Sequence, residues 1–293
     1  MSVYANFQEL IPERKKLLGT TLVDLLDTIT NFENKTLILV DIETLGLNPT
    51  FEYEQVTELA ACVLNGSNND VIGNMNFKVK LSNSALELLT ETESIQRYSW
   101  ERRQKKRGKS AILDPNQIIE MTQYNKIKAP IESERTAIEK FYEFVKRYKN
   151  PVIVAHNAEF DIKYLMTRGK MYQLEFPVVD VLDTLKISQF FFVPTLETLK
   201  KNPDVDIIMQ KLIRLKNNKS YHISSRLGDL ASAFGIDSQN WHTANSDVEM
   251  MRLVLNEILE FLGKYRNIDI SRNQELAIRK TLRKGTRLKP KKR

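Results

Sequence analysis

Apolar residues fall in two kinds of run along this chain. Leu37-Ile38-Leu39-Val40 and Val152-Ile153-Val154-Ala155 are short, unbroken and rich in β-favouring side chains, the pattern of buried strands. Strands are expected at Thr36 to Glu43, Gln55 to Leu64 and Val71 to Lys80, separated by the turn-rich stretches Leu47-Asn48-Pro49 and Asn65-Gly66-Ser67-Asn68-Asn69. Such close spacing favours an antiparallel start to a sheet. The second kind of run is helical: Val248, Met251, Val254, Leu255, Ile258 and Leu259 recur every three to four positions behind Asp247. Other helices are expected at Gln8 to Leu18, Thr21 to Asn31, Ala85 to Arg97, Glu132 to Tyr148 and from Asp161, with a short strand at Val178 and helices to the end. Hairpin-linked strands followed by β-α units predict an α/β fold, a mixed sheet flanked by helices.

Carboxylates stand at the ends of these runs. If Leu37 to Thr44 is a strand, its period of two sends Asp41 and Glu43 to the same face. Two like charges leaving a buried strand together repel and lose hydration, so they need a cation or strong donors. With neither Cys nor His on that strand, the oxygens suit a hard ion such as Mg²⁺ or Mn²⁺ better than zinc. Taken alone, a pair of acids at a strand end is more often a surface feature paired with backbone or a basic side chain. Asp161 changes that weighing, because it follows the second strand, where open α/β sheets place their sites; its bland role is a helix cap. The third segment supplies a titratable base, His242, five residues before Asp247. The chain has three histidines, His156, His222 and His242, and His222 has no carboxylate motif around it.

Asp41-Ile42-Glu43-Thr44, His156-Asn157-Ala158-Glu159-Phe160-Asp161 and His242 with Asp247, in this order, resemble the three exonuclease motifs of the DEDD superfamily in its histidine-containing branch. That branch includes the epsilon proofreading subunit of bacterial DNA polymerase III, exonuclease I, oligoribonuclease and ribonuclease T. The resemblance covers roughly residues 36 to 260 and implies a ribonuclease H-like fold. It also implies that Asp41, Glu43, Asp161 and Asp247 hold two metal ions, Mg²⁺ with Mn²⁺ able to substitute, and that His242 is the general base. Thr44 with the Leu45-Gly46-Leu47 turn would cradle the terminal nucleotide, while His156, Asn157 and Phe160 would line its path. Glu58 and the Asp183-Thr184 pair would support them. The implied activity is 3′-to-5′ release of nucleoside 5′-monophosphates from single-stranded or frayed DNA, with proofreading, repair and replication as its settings. An exoribonuclease of the same branch and a nucleic-acid-binding or polymerase-accessory protein are the alternatives.

The residue types fit that chemistry independently. Phosphodiester hydrolysis needs a water made nucleophilic near neutral pH and neutralisation of the charge that grows on the phosphoryl and departing oxygens, both of which a pair of metals supplies. A side chain with an unperturbed pKa near ~6.5 suits the proton acceptor.

The 293 residues, 42% hydrophobic, are enough for a sizeable core, read as an extension at 1–35, an exonuclease domain at 36–263 with insertions near 82–130 and 186–225, and a basic tail at 264–293. The tail carries 12 Lys and Arg against Asp269 and Glu275, so the formal +7 resides there and the rest of the chain is slightly acidic. A second basic cluster spans Arg102 to Lys109, and either can follow a phosphate backbone or be a solvated surface. The Phe190-Phe191-Phe192 run and the two tryptophans, Trp100 and Trp241, pose the choice between base stacking and core. No apolar run reaches membrane-spanning length, the beginning does not resemble a signal peptide, and the lone Cys62 cannot form an internal disulfide. Those three features predict an intracellular, cytoplasmic protein with no membrane partner; the resemblance implies nucleic acid, DNA before RNA, as the main partner and a polymerase or replication protein as a further one.

Overall fold

The computed structural model describes residues 32, 34–87, 127–216, 220–237 and 243–285. Among them a six-stranded mixed sheet runs in the order β4-β3-β2-β1-β5-β6. Its strands are β1 (Thr36–Thr44), β2 (Val56–Asn65), β3 (Val71–Lys80), β4 (Ile131–Ser133), β5 (Pro151–Ala155) and β6 (Asp180–Asp183). β1, β2 and β3 form an antiparallel meander, and β5 and β6 extend it by parallel pairing beside β1. This is the ribonuclease H-like arrangement expected from the sequence.

Parity along β1 sets the layering. Ile38, Val40 and Ile42 face one layer, packing with Ile138, Phe141 and Val145 of α1 (Glu134–Lys146) and Ile162 and Leu165 of α2 (Ala158–Met171). Leu37 and Leu39 face the other, with the 184–198 segment and α7 (Ala244–Lys264). That segment comprises α3 (Thr184–Ile187), a π-helical turn (Ser188–Phe192) and α4 (Val193–Thr198). α5 (Pro203–Leu212), the small antiparallel hairpin β7 (Ile213–Lys216) and β8 (Ser220–Ile223), and α6 (Leu227–Phe234) complete this side. Both faces of the central strands are therefore dry, which is why their sequences read as continuous apolar runs.

Several expected elements shift. The strand expected at Val178 lies at Asp180–Asp183, and Val178 itself is 97% exposed. β4 and the β7–β8 hairpin were not foreseen: β4 is short and mostly exposed, so it carries little apolar signal. α2 begins at Ala158, before Asp161, because Asn157 takes a left-handed backbone (φ 77°) and turns the chain at once into the helix. Within the basic tail, Ser271–Gly285 forms helix α8, in line with the helices expected towards the end of the chain. Gln274 of α8 is buried and donates to the Phe190 carbonyl (3.1 Å), while the Asn273 amide donates to Thr198 Oγ1 (2.9 Å). The phenylalanine run is core: Phe190, Phe191 and Phe192 are all buried, and Phe192 meets Phe261 edge-on at 5.1 Å. The expected helices before residue 32, most of the one from Ala85, the Arg102 to Lys109 cluster, Trp100 and residues 286–293 lie outside the described residues. Among the described residues no helix is long and apolar enough to cross a membrane.

Candidate active site

The face of β1 that buries Leu37 and Leu39 turns acidic at its carboxyl end with Asp41 and Glu43. On β2, Glu58 stands directly opposite Glu43 in the register. The next layer, α7, crosses β1 and β2 and brings the Asp247 of its first turn to the same place. One carboxylate oxygen each from Asp41, Glu43 and Asp247 lies within 4.8 Å of the others. Asp161 reaches the cluster from the first turn of α2 and is fully buried. Backbone N–H groups of Asp161 and Ile42 donate to its carboxylate, which holds it against the edge of β1.

Glu58 explains how α7 is aimed. Its buried carboxylate accepts from the N–H of Ala244 (2.8 Å) and of Asn245 (3.4 Å), two donors that a helix start leaves unpaired. A capping box between Thr243 and Ser246 closes the same turn. The helix thus opens at Ala244, and Asp247 sits one turn in, anchored through a contact spanning 186 positions of sequence. Asp183 plays the corresponding part at the far edge: it accepts from the N–H of Asn157 (3.1 Å) and Leu185 (2.9 Å), tying β6 to the start of α2.

The electrostatics follow from this packing. Burial raises the Asp41 carboxyl well above its usual range, and the negative charges of Asp161, Asp247, Glu43 and Glu58 raise it further. Glu43 is lifted to about 7 by burial, then by Asp247 and Glu58. Asp161 reaches about 8, chiefly through burial, with the two backbone donors pulling the other way. A set of crowded, partly dehydrated carboxylate oxygens with no sulfur or imidazole among the three grouped ligands fits a hard divalent cation.

The substrate-facing expectations divide. The Thr44 hydroxyl donates to the Gly46 carbonyl (2.7 Å), closing the turn; Leu47 projects outward, 83% exposed. A Cβ on Gly46 would lie 2.0 Å from the Glu54 carboxylate, itself held by the Asn48 N–H (2.6 Å), so a larger residue there displaces the Glu54 side chain. Phe160 is half-buried beside Tyr164, ring centroids 5.4 Å apart, and Asn157 is exposed. His156, expected to line the nucleotide's path, engages both ring nitrogens within the protein. Its Nε2 donates to the Ser225 carbonyl (3.0 Å), and its Nδ1 lies 2.9 Å from Thr184 Oγ1. Burial lowers its pKa to about 4, so it is a neutral bridge between β5, α3 and the approach to α6. His242 and the adjoining Trp241 lie outside the described residues.

A second network was missed in the sequence. Arg168 and Glu134, both almost wholly buried, pair through Nε to Oε1 (2.9 Å) and a second guanidinium nitrogen to Oε2 (2.5 Å). Glu134 also accepts from Val56 N–H, the Gln55 amide and the Tyr172 hydroxyl. Arg168 donates to the carbonyls of Phe51 (2.9 Å), Pro49 and Glu52, so the pair fixes the 48–54 loop that follows the acidic strand. The signal was available: Ile162, Leu165 and Arg168 share the buried stripe of α2, as Glu134, Ile138, Phe141 and Val145 share that of α1.

A mixed sheet between two helical layers, with clustered acids where β1 ends, defines an exonuclease domain of ribonuclease H-like fold. The profile of a family described as "DNA polymerase family B, exonuclease domain" matches residues 11–227, and the chain belongs to that family, one of DEDD-type 3′-to-5′ exonucleases. The match ends before α7, so it does not cover Asp247, which the structure places beside Asp41 and Glu43 as its motif implied. Among solved structures, Escherichia coli exonuclease I in complex with a dT13 oligonucleotide is similar at 17% identity and TM-score 0.52, covering 79% of this chain and 42% of that one. The same enzyme with a 5cy-dA13 oligonucleotide gives 16% identity and TM-score 0.48 over 83% and 45% of the two chains. The chain thus spans less than half the length of the enzyme whose fold it shares. No curated protein matches it.

Proposed function

We propose that this chain is a 3′-to-5′ DNA exonuclease of the histidine-containing branch, releasing nucleoside 5′-monophosphates from single-stranded or frayed 3′ ends. The observation that carries the reading is the convergence of Asp41, Glu43 and Asp247 within one ion's reach, with Asp161 buried against them. Asp41, Glu43, Asp161 and Asp247 would hold two Mg²⁺ ions, which supply charge neutralisation and an acidified water when bound. His242, the residue before the helix cap Thr243, accepts the water's proton. The water oxygen bonds to phosphorus as the bond to the 3′ oxygen of the penultimate nucleotide breaks, leaving the phosphate on the released nucleotide. The Thr44 to Leu47 turn, rigid through its own hydrogen bond and through Glu54, receives the terminal nucleotide. DNA is favoured over RNA by the family's description and by the oligodeoxynucleotide bound to exonuclease I.

The test compares Mg²⁺-dependent release from 5′-labelled single-stranded DNA and RNA, with Asp161→Asn as control. A descending ladder from the 3′ end of DNA, absent in EDTA and in the variant, supports the proposal. Faster trimming of RNA would reassign the substrate, and release unaffected by Asp161→Asn would remove the site.

A further inference from the structure

The loop fixed by Arg168 carries something unusual for so expensive an anchor: its outward side chains are aromatic. Phe51 and Tyr53 lie parallel, ring centroids 5.3 Å apart and planes 9° from one another, yet remain 44% and 38% exposed. Exposed rings are commonly borne by adaptable loops, but here the backbone beneath them is immobilised at almost every residue. Phe51 and Glu52 carbonyls accept from the buried Arg168 guanidinium, and the Glu54 carbonyl accepts from the Tyr164 hydroxyl (2.8 Å). Turn hydrogen bonds join Phe51 N–H to the Asn48 carbonyl and Glu54 N–H to the Phe51 carbonyl. Tyr164 also interacts with the side chain of Thr44, next to the cluster residue Glu43. The rings are thus rigidly coupled to the acidic site and separated from it by a short turn.

We infer that the Phe51–Tyr53 stack is a base-binding platform, on which a nucleobase of the single strand continues the stack while its terminal phosphodiester lies at the carboxylates. The inference deepens the exonuclease reading and rests on it. A π face accepts any base, so the platform would hold a strand without reading its sequence, as degradation from an arbitrary 3′ end requires. Two parallel rings present an outer face at the spacing of a stacked pair, and Leu47, in the turn that precedes their loop, is 83% exposed. Fixing the loop beforehand lowers the ordering cost of capture.

The experiment uses the full chain and a single-stranded oligodeoxynucleotide bearing the fluorescent base 2-aminopurine at successive positions from its 3′ end. Binding is read in EDTA, where no cleavage occurs, and turnover separately in Mg²⁺. A Phe51→Leu/Tyr53→Leu variant keeps apolar bulk and removes the π faces; Phe51→Tyr/Tyr53→Phe keeps both faces. The leucine variant should weaken binding roughly 5- to 150-fold, the range for loss of one stacked base. It should raise KM similarly with kcat within about threefold and abolish quenching at one 2-aminopurine position, while the exchanged variant behaves as wild type. Unchanged affinity and quenching in the leucine variant would overturn the platform and leave the rings to a protein partner. Equal losses in both variants would also overturn it, since loop shape rather than stacking would then be at fault. Wild-type protein that binds through the rings yet releases no nucleotide would instead defeat the exonuclease reading alone.

Discussion

Removing metal from the acidic cluster should make the fold less stable as pH rises, the reverse of ordinary acid denaturation. Asp161 ionises at about 8 in the folded chain, against 3.8 for an exposed aspartate, because burial disfavours its charge. Between those values the folded state holds a proton that the unfolded state has released, so stability is full at low pH and falls as pH climbs towards 8. His156 works the other way, but only below its unfolded value of 6.5, since it is neutral in the folded state down to about 4. From about pH 6.5 to 8.5 the carboxylates therefore dominate, and linkage gives a loss of roughly 2 kcal/mol from Asp161 alone. Glu43, titrating at about 7, adds to it in the same direction. Urea melts in EDTA across that window measure the slope directly. Asp161→Asn should flatten it by roughly the same 2 kcal/mol and be the more stable protein at the alkaline end. Saturating Mn²⁺ should restore wild-type stability there, by about 2.7 kcal/mol at a hundredfold excess over Kd, and do little for the variant. Stability in EDTA that stays level or rises with pH, with an unchanged slope in Asp161→Asn, would refute the electrostatic argument.

Other perturbations separate aiming from anchoring. Glu58→Ala removes the acceptor of the Ala244 and Asn245 N–H groups and should cost about 1–3 kcal/mol in denaturant melts, with Glu58→Gln recovering part of the loss and of the turnover. Arg168→Met leaves the Glu134 carboxylate buried with its guanidinium gone and should destabilise by about 3–5 kcal/mol; adding Glu134→Leu should recover much of that, and no recovery would mean the pair's charge balance is unimportant. Gly46→Ala pushes the Glu54 carboxylate off the Asn48 N–H and should raise KM for single-stranded DNA several-fold with a stability change under about 1 kcal/mol; an unaltered KM would separate this turn from substrate.

The sequence was most legible where burial is two-sided. The continuous apolar runs of β1 and β5 marked both strands to within a residue or two; β3, half-exposed, falls at its expected Val71–Lys80 through the turn residues before it. The period of two on β1 placed Asp41 and Glu43 together, and the structure shows them on the face shared with Leu37 and Leu39. Illegible features depended on partners distant in sequence. Glu58 gives no local hint that it caps a helix 186 positions on, and although Arg168 falls on the buried stripe of α2, the loop carbonyls it binds lie 116 to 119 positions away. His156 has partners that its motif position does not announce, since its ring bonds towards Thr184 and Ser225, 28 and 69 positions on. A helix was expected in the basic tail, but its composition gave no sign of where α8 docks, which Gln274 decides by bonding to the 184–198 segment.

The central claim is that the carboxylates of β1, α2 and α7 jointly hold divalent ions beside a bound 3′ end. Anomalous diffraction from a crystal soaked in Mn²⁺ with a nucleoside 5′-monophosphate tests it most directly. The account predicts two manganese peaks among Asp41, Glu43, Asp161 and Asp247, with the phosphate against them, and the loss of at least one peak in Asp41→Asn. A nucleotide ordered elsewhere on the surface, with no manganese at these side chains, would contradict it.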